Sequence, residues 1–169
     1  MWNGYHFKSW SGVNKELEKR LADCLKGRIS YFLTKYQSTH NCWGRAAIRL
    51  DGRELAFFSW VEQYEQENER LKYDDAPDVF DEDPQLVEKW LRNATFSDDD
   101  FLYAATRFLQ MNIGDALICS DFLIRIFAIL DQRVGKRTLR KIRDAGEYRE
   151  YPDWARQFYE LRFAESAIE

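Results

Sequence analysis

Histidine is almost missing from this chain of 169 residues, which has only His6 and His40. Cysteine, proline and glycine are also scarce, at three, three and eight residues. Each shortage removes a class of chemistry. Tetrahedral zinc needs four ligands, and no second Cys/His cluster stands at metal spacing from His40 and Cys42. An odd number of cysteines without paired spacing is no disulfide framework, and reads as a reduced, cytoplasmic protein. No apolar run approaches the length of a membrane span. The opening MWNGYHFKSWSG has no basic segment leading into an apolar one, so neither a membrane span nor a signal peptide is expected.

Nucleotide motifs are missing as well. VGKRTL, Val134 to Leu139, has Leu130 where a phosphate loop needs its first glycine, and Arg137 where it needs Ser or Thr. There is no glycine-rich dinucleotide fingerprint and no Gly-x-Ser-x-Gly elbow. A calcium loop begun at Asp74 or Asp78 puts Val79 or Asp83 at the position that requires glycine. Asp51 and Glu54 lack the adjacent lysine of a metal-dependent nuclease. No metal and no cofactor is expected.

What the chain has is aromatic side chains, 16% of its residues, and ample length for a core. A chain of this size buries roughly 70% of the surface its unfolded form exposes. Its net charge is −4, but the charge is segregated. Residues 1–61 hold ten bases and five acids, residues 62–88 eleven acids and two bases, and residues 125–149 eight bases and three acids.

The pattern of apolar residues predicts an α+β fold. Ser11 reads as the N-cap of a helix whose stripe is Val13, Leu17, Leu21, Cys24 and Leu25, stopped near Gly27. RISYFLTKY alternates as a strand, and RAAIRL and RELAFFSW flank Asp51-Gly52, a strong hairpin signal. An antiparallel three-stranded meander under the first helix follows. DPQLVEKWLRNA reads as a short helix opened by Pro84. Ser97 and Asp100 form a capping box ahead of Phe101, Leu102, Ala105, Phe108 and Leu109. Ser120 reads as the cap of DFLIRIFAILDQR, Gly135 precedes KRTLRKIRDAG, and a last helix follows Pro152. The expected organisation is one domain, 1–169. It comprises a helix-plus-meander part (1–61), an acidic connection (62–96) and a packed helical part (97–169).

Two segments read as binding surfaces. KYDDAPDVFDEDP, Lys72 to Pro84, holds six carboxylates. Asp74, Asp75, Asp78, Asp81, Glu82 and Asp83 would supply a field that steers a basic protein partner, with Tyr73 and Phe80 as contact area. The bland reading is a solvated linker. The second surface is the basic run Arg133, Lys136, Arg137, Arg140, Lys141 and Arg143, of which Arg133, Arg137, Arg140 and Lys141 can share a helical face and contact nucleic-acid phosphates. Its bland reading is a solvated or internally ion-paired helix. A third reading is an enzyme using His40 or Cys42 with distant acids.

The stretches FKSWSGVNKEL, GRISYFLTKY, GRAAIRLDGRELAFFSW, ILDQRVGKRTL and PDWARQFYELRFAE together resemble an enterobacterial-type family of conserved bacterial proteins with no established activity. The resemblance spans nearly the whole chain and implies a bacterial, cytoplasmic origin. The leading expectation is a non-enzymatic interaction protein. It would be immunity- or antitoxin-like, and would bind a basic partner through residues 62–88. Nucleic-acid association through residues 133–143 is the alternative.

Overall fold

The computed structural model describes residues 9–35, 44–59 and 96–168. Its elements run α1 (Trp10–Arg20), β1 (Ile29–Lys35), β2 (Gly44–Leu50), β3 (Arg53–Phe58), α2 (Asp98–Phe108), α3 (Ile113–Leu117), α4 (Phe122–Leu130), α5 (Lys136–Ala145), a 3-10 turn (Glu147–Glu150) and α6 (Asp153–Glu165). This is the expected α+β arrangement. The acidic segment with Tyr73 to Asp83, the histidines, Cys42 and the helix expected from Pro84 lie outside the described residues.

The strands form an antiparallel sheet in the order β1-β2-β3. Ile29 pairs with Leu50 and Lys35 with Gly44. Asp51 and Gly52 turn the β2–β3 hairpin with φ of 50° and 81°, the two positive values that such a turn requires. One face of the sheet, with Tyr31, Ala46, Ile48 and Phe58, is buried. On the other face Arg45 and Arg49 stand over the rings of Phe57 and Phe32. Glu54 bridges the two arginines at 2.5 and 3.1 Å.

Aromatic rings join the layers. Phe58 of β3 stacks on Phe101 of α2 at 5.4 Å, and Phe101 meets Phe127 of α4 edge-on at 5.4 Å. Tyr31 of β1 also reaches Phe127, and Trp154 of α6 reaches Phe58. Each such pair contributes about 0.5–1.5 kcal/mol beyond its area burial. Helix α4 lies at the centre, with seven of its nine residues buried, from Leu123 to Leu130 with only Arg125 excepted. A helix apolar on most sides must be wrapped on most sides, and α2, α3 and α6 pack on it.

Three ends differ from the sequence pattern. α1 begins after Ser9 rather than Ser11 and stops at Arg20, before Cys24 and Leu25. Leu21 leaves the helix because it makes a β-bridge with Asp131, flanked by Ala22 N–H to the Leu130 carbonyl and Gln132 N–H to the Arg20 carbonyl. The tertiary bridge ends the helix although the apolar period continues. The cap of α4 is Asp121, which accepts from Leu123 N–H at 2.9 Å, rather than Ser120. The α2 capping box is as expected, with Ser97 and Asp100 bonded reciprocally.

The C-terminal half is locked by Arg162, on α6, whose side chain is 5% exposed. Its guanidinium donates to the Ile129 carbonyl at 3.1 Å, the Val134 carbonyl at 3.0 Å, Cys24 Sγ at 3.2 Å and Ser166 Oγ. Ile129 is in the last turn of α4, and Arg162 is in the last turn of α6. The buried cation therefore sits at the negative ends of two helix dipoles. Burial still pulls the guanidinium below its ordinary value, opposed by Cys24 and Asp131.

Two outcomes follow. Arg162→Ala strands two buried carbonyls and opens a void, so it costs about 3 kcal/mol or more. Arg162→Lys recovers less than half of that, because an ammonium cannot span the fork of acceptors. Urea melts read both through the midpoint, and an Arg162→Ala midpoint equal to the wild type would remove this role. Asp121 is held above its ordinary carboxylate value by burial, against its cap bonds and Arg107. Its charge therefore opposes folding at neutral pH. Asp121→Asn keeps the cap and should match or exceed wild-type stability at pH 7. That advantage shrinks as pH falls through the raised folded-state value, where the native protein takes up its proton before the unfolded chain does. Denaturant melts across this window check the sign.

Candidate functional site

Helix α5 is built against the usual rules of helix ends. Its N-cap is Gly135, with no side-chain cap, and no acid stands in its first turn. Lys136 and Arg137 stand there instead, at the positive end of the helix dipole, where cations are unfavourable. α2 does the reverse, with Ser97 capping three aspartates in its first turn.

Lys136, Arg137, Arg140 and Lys141 are all exposed. At 3.6 residues per turn the four fill a sector of about 140°, roughly opposite the stripe of Leu139 and Ile142, and span about 7.5 Å of helix axis. Leu139 is buried and Ile142 half-buried, so that stripe fixes the helix on the body. Among the described residues no carboxylate lies within ion-pair distance of any of the four. Internal ion-pairing of this face is therefore not what the structure shows there.

Two residues of the predicted basic run stand apart. Arg133 precedes the helix and is fastened to Asp131, 1% exposed, by a side-chain bond of 2.8 Å and a backbone bond of 2.7 Å. It also stands over the Phe108 ring. Arg143 is half-buried and pairs with Asp144 at 2.9 Å. Asp144 lies in the sector of the cationic face one turn beyond Arg140 and closes that face at its C-terminal end, with its charge offset by Arg143.

A cleft flanks each end of α5. At the N-terminal end, about 370 Å³ is lined by Lys136, Leu139, Cys24, Arg162 and Glu165. The Arg162 guanidinium is consumed there by its own four bonds. At the C-terminal end, about 270 Å³ is lined by Lys141, Ala145, Glu147, Tyr148, Tyr151 and Tyr159, with Ile118 also on its wall. Tyr148 and Tyr159 lie nearly parallel, 10° apart with centroids 5.9 Å apart, and Tyr151 meets Tyr159 edge-on at 5.3 Å. Arg125 holds Tyr151 by a bond of 2.7 Å to its hydroxyl and is anchored on the Cys119 carbonyl. The Tyr159 hydroxyl is buried and has no hydrogen-bond partner among the described residues. Burial pushes this phenol well above its ordinary range, so it remains a neutral donor. Ile118 is 76% exposed, the most exposed large apolar side chain described.

A family model matches residues 9–163. The chain belongs to the SF0329 protein family. In this SF0329-family chain the match takes in α5, the three tyrosines and Arg162, and so covers both the cationic face and the lock beneath it. No curated protein and no solved structure matches the chain. Among the described residues there is no group of three potential metal ligands, and no helix is long and apolar enough to cross a membrane.

The tyrosine cleft and Arg162 escaped the sequence pattern. EYREYPDWARQFYE is dense in tyrosine, and that density was the available signal. Periodicity could not show which ring would lose its hydroxyl partner. It also could not show that an arginine on an otherwise apolar stripe would turn inward.

Proposed function

We propose that this SF0329-family chain is a non-enzymatic interaction protein that binds nucleic acid through the exposed cationic face of α5. One observation supports this above the others. Lys136, Arg137, Arg140 and Lys141 share a sector, are exposed, and have no ion partner among the described residues. Two of them stand where the helix dipole disfavours them. A local rule broken without a local gain marks positions held for another reason. Phosphates docked here would gain four cations and the uncapped N–H groups of the first turn at once. The net charge of −4 sets the long-range field, but at physiological salt a Debye length of about 8 Å leaves binding to the local patch. The proposal places the protein in a bacterial cytoplasm, which suits its odd number of cysteines, with Cys24 and Cys119 free.

Four phosphate contacts imply that log K falls with log[salt] with a slope of about −3. Fluorescence anisotropy with labelled oligonucleotides across a salt series measures it. Replacing Lys136, Arg137, Arg140 and Lys141 together by Gln should bring the slope close to zero and remove binding at physiological salt. All four side chains are exposed, so stability should stay nearly unchanged. No binding by the wild type at low salt, or an unchanged slope in the variant, rejects the reading.

A second reading is favoured by composition. Eleven acids against two bases in residues 62–88 suit a basic protein partner, in the manner of an immunity protein or antitoxin. Asp74, Asp75, Asp78, Asp81, Glu82 and Asp83 would supply the field, with Tyr73 and Phe80 the contacts. Under this reading a cationic peptide binds the wild type at low salt, and Asn/Gln replacement of the six acids weakens it at least tenfold. Equal titrations of the two proteins would eliminate it.

A further inference from the structure

We infer that the tyrosine cleft at the end of α5 receives one unstacked base of a single-stranded nucleic acid whose phosphates lie on the α5 face. This inference rests on the nucleic-acid reading of α5 and adds what that reading leaves open, namely the strand state and the kind of base.

The juxtaposition is physical. Lys141 belongs both to the cationic face and to the wall of the cleft. A backbone tracking α5 from Lys136 to Lys141 therefore arrives at the mouth of an aromatic-lined space. A positive track leading to aromatic side chains is how proteins hold single strands, because every base has a stacking face. A duplex would keep its bases stacked and out of such a space. The volume of about 270 Å³ lies just below the range of roughly 300–1,000 Å³ for drug-sized ligands, which limits the occupant to one small group.

The polar groups select within that class. Glu147 is exposed, lines the same cleft, and has no ion partner among the described residues. A carboxylate accepts from the exocyclic amine of cytosine or adenine, which thymine and uracil lack. The Tyr159 hydroxyl has no partner among the described residues. A ring nitrogen or carbonyl of a base offers the acceptor it lacks. Ile118, 76% exposed beside these rings, supplies an apolar lip against which a base can pack.

Anisotropy titrations with oligo(dC), oligo(dT) and a duplex of equal length test this, with three variants of the full chain. The wild type should prefer oligo(dC) to oligo(dT) and to the duplex. Ala145→Trp places a ring in the cleft from its exposed rim and should cost about tenfold on oligo(dC), the scale of one base–aromatic stack, with the salt slope retained. Glu147→Gln should bring the dC/dT ratio close to one. Tyr159→Phe removes an unpaired buried hydroxyl, so thermal stability should hold or rise while oligo(dC) affinity falls. A merely structural tyrosine would not give that split. If Ala145→Trp binds oligo(dC) as tightly as the wild type, or if the duplex binds as well as the single strand, the base site is overturned while the α5 reading stands. If no oligonucleotide shows the salt slope expected of α5, both fall.

Discussion

The buried guanidinium of Arg162 is the constraint on which the C-terminal half depends. It is a cation with carbonyls, a hydroxyl and a thiol as its hydrogen-bond partners. Desolvating it is expensive, and it is tolerable only where fixed dipoles replace water. The last turns of α4 and α6 provide them. The geometry is then over-determined. The Ile129 and Val134 carbonyls must both face one planar fork, and that fixes the α4–α5 connection. Gly135, the N-cap of α5, follows Val134 directly. The direction in which α5 leaves the body is thus set by a residue on another helix.

The same connection is held from the opposite side. Asp131, fully buried, accepts both the backbone and the side chain of Arg133, and its backbone bridges Leu21. The start of α5 is therefore clamped between a buried cation and a buried carboxylate. A helix with an uncapped N-terminus and two cations in its first turn would fray in isolation. Here the clamp and the burial of Leu139 hold it. The cationic face is then not needed to hold the helix in place, because the energy that does so comes from elsewhere.

Much of the architecture was legible because it is written locally. Asp51-Gly52 specifies its turn by backbone sterics alone, and Ser97 with Asp100 specifies a helix start through bonds three residues apart. The alternation of Ile29 and Tyr31 specifies the buried face of β1. The largest misplacement is long-range. α1 stops at Arg20 because Leu21 meets Asp131, a residue 110 positions away in the sequence. Asp121 replaces Ser120 as cap because packing sets the phase of α4. The basic run was legible as a run, but only the fold separates Arg133, taken by Asp131, and Arg143, taken by Asp144, from the four that have no ion partner among the described residues. Arg162 was illegible, since a lone arginine in WARQFYELRFAE reads as a solvated position.

The tyrosine cleft shows why such a site escapes pattern reading. Its parts come from α3, α5, the 3-10 turn and α6, and none is unusual alone. Gly146, with φ of 74°, ends α5 and turns the chain so that Tyr148 and Tyr151 come back beneath Ala145 and Lys141. Arg125, the one residue between Leu123 and Leu130 of α4 that is not buried, reaches out to hold Tyr151. The central helix thus touches the cleft near its N-terminal end, through Arg125 and through Phe122, which meets Tyr151 edge-on at 5.3 Å, and the rest of it is core. The apolar wrapping of α4 by α2, α3 and α6 and the placement of three rings at the end of α5 are consequences of the same packing. A change in how α6 seats on α4 would move the Arg162 lock and the Tyr159 ring together, because both lie on α6 within one turn of each other. The cationic face and the aromatic cleft are therefore mechanically one unit, and their relative geometry is fixed before any ligand arrives.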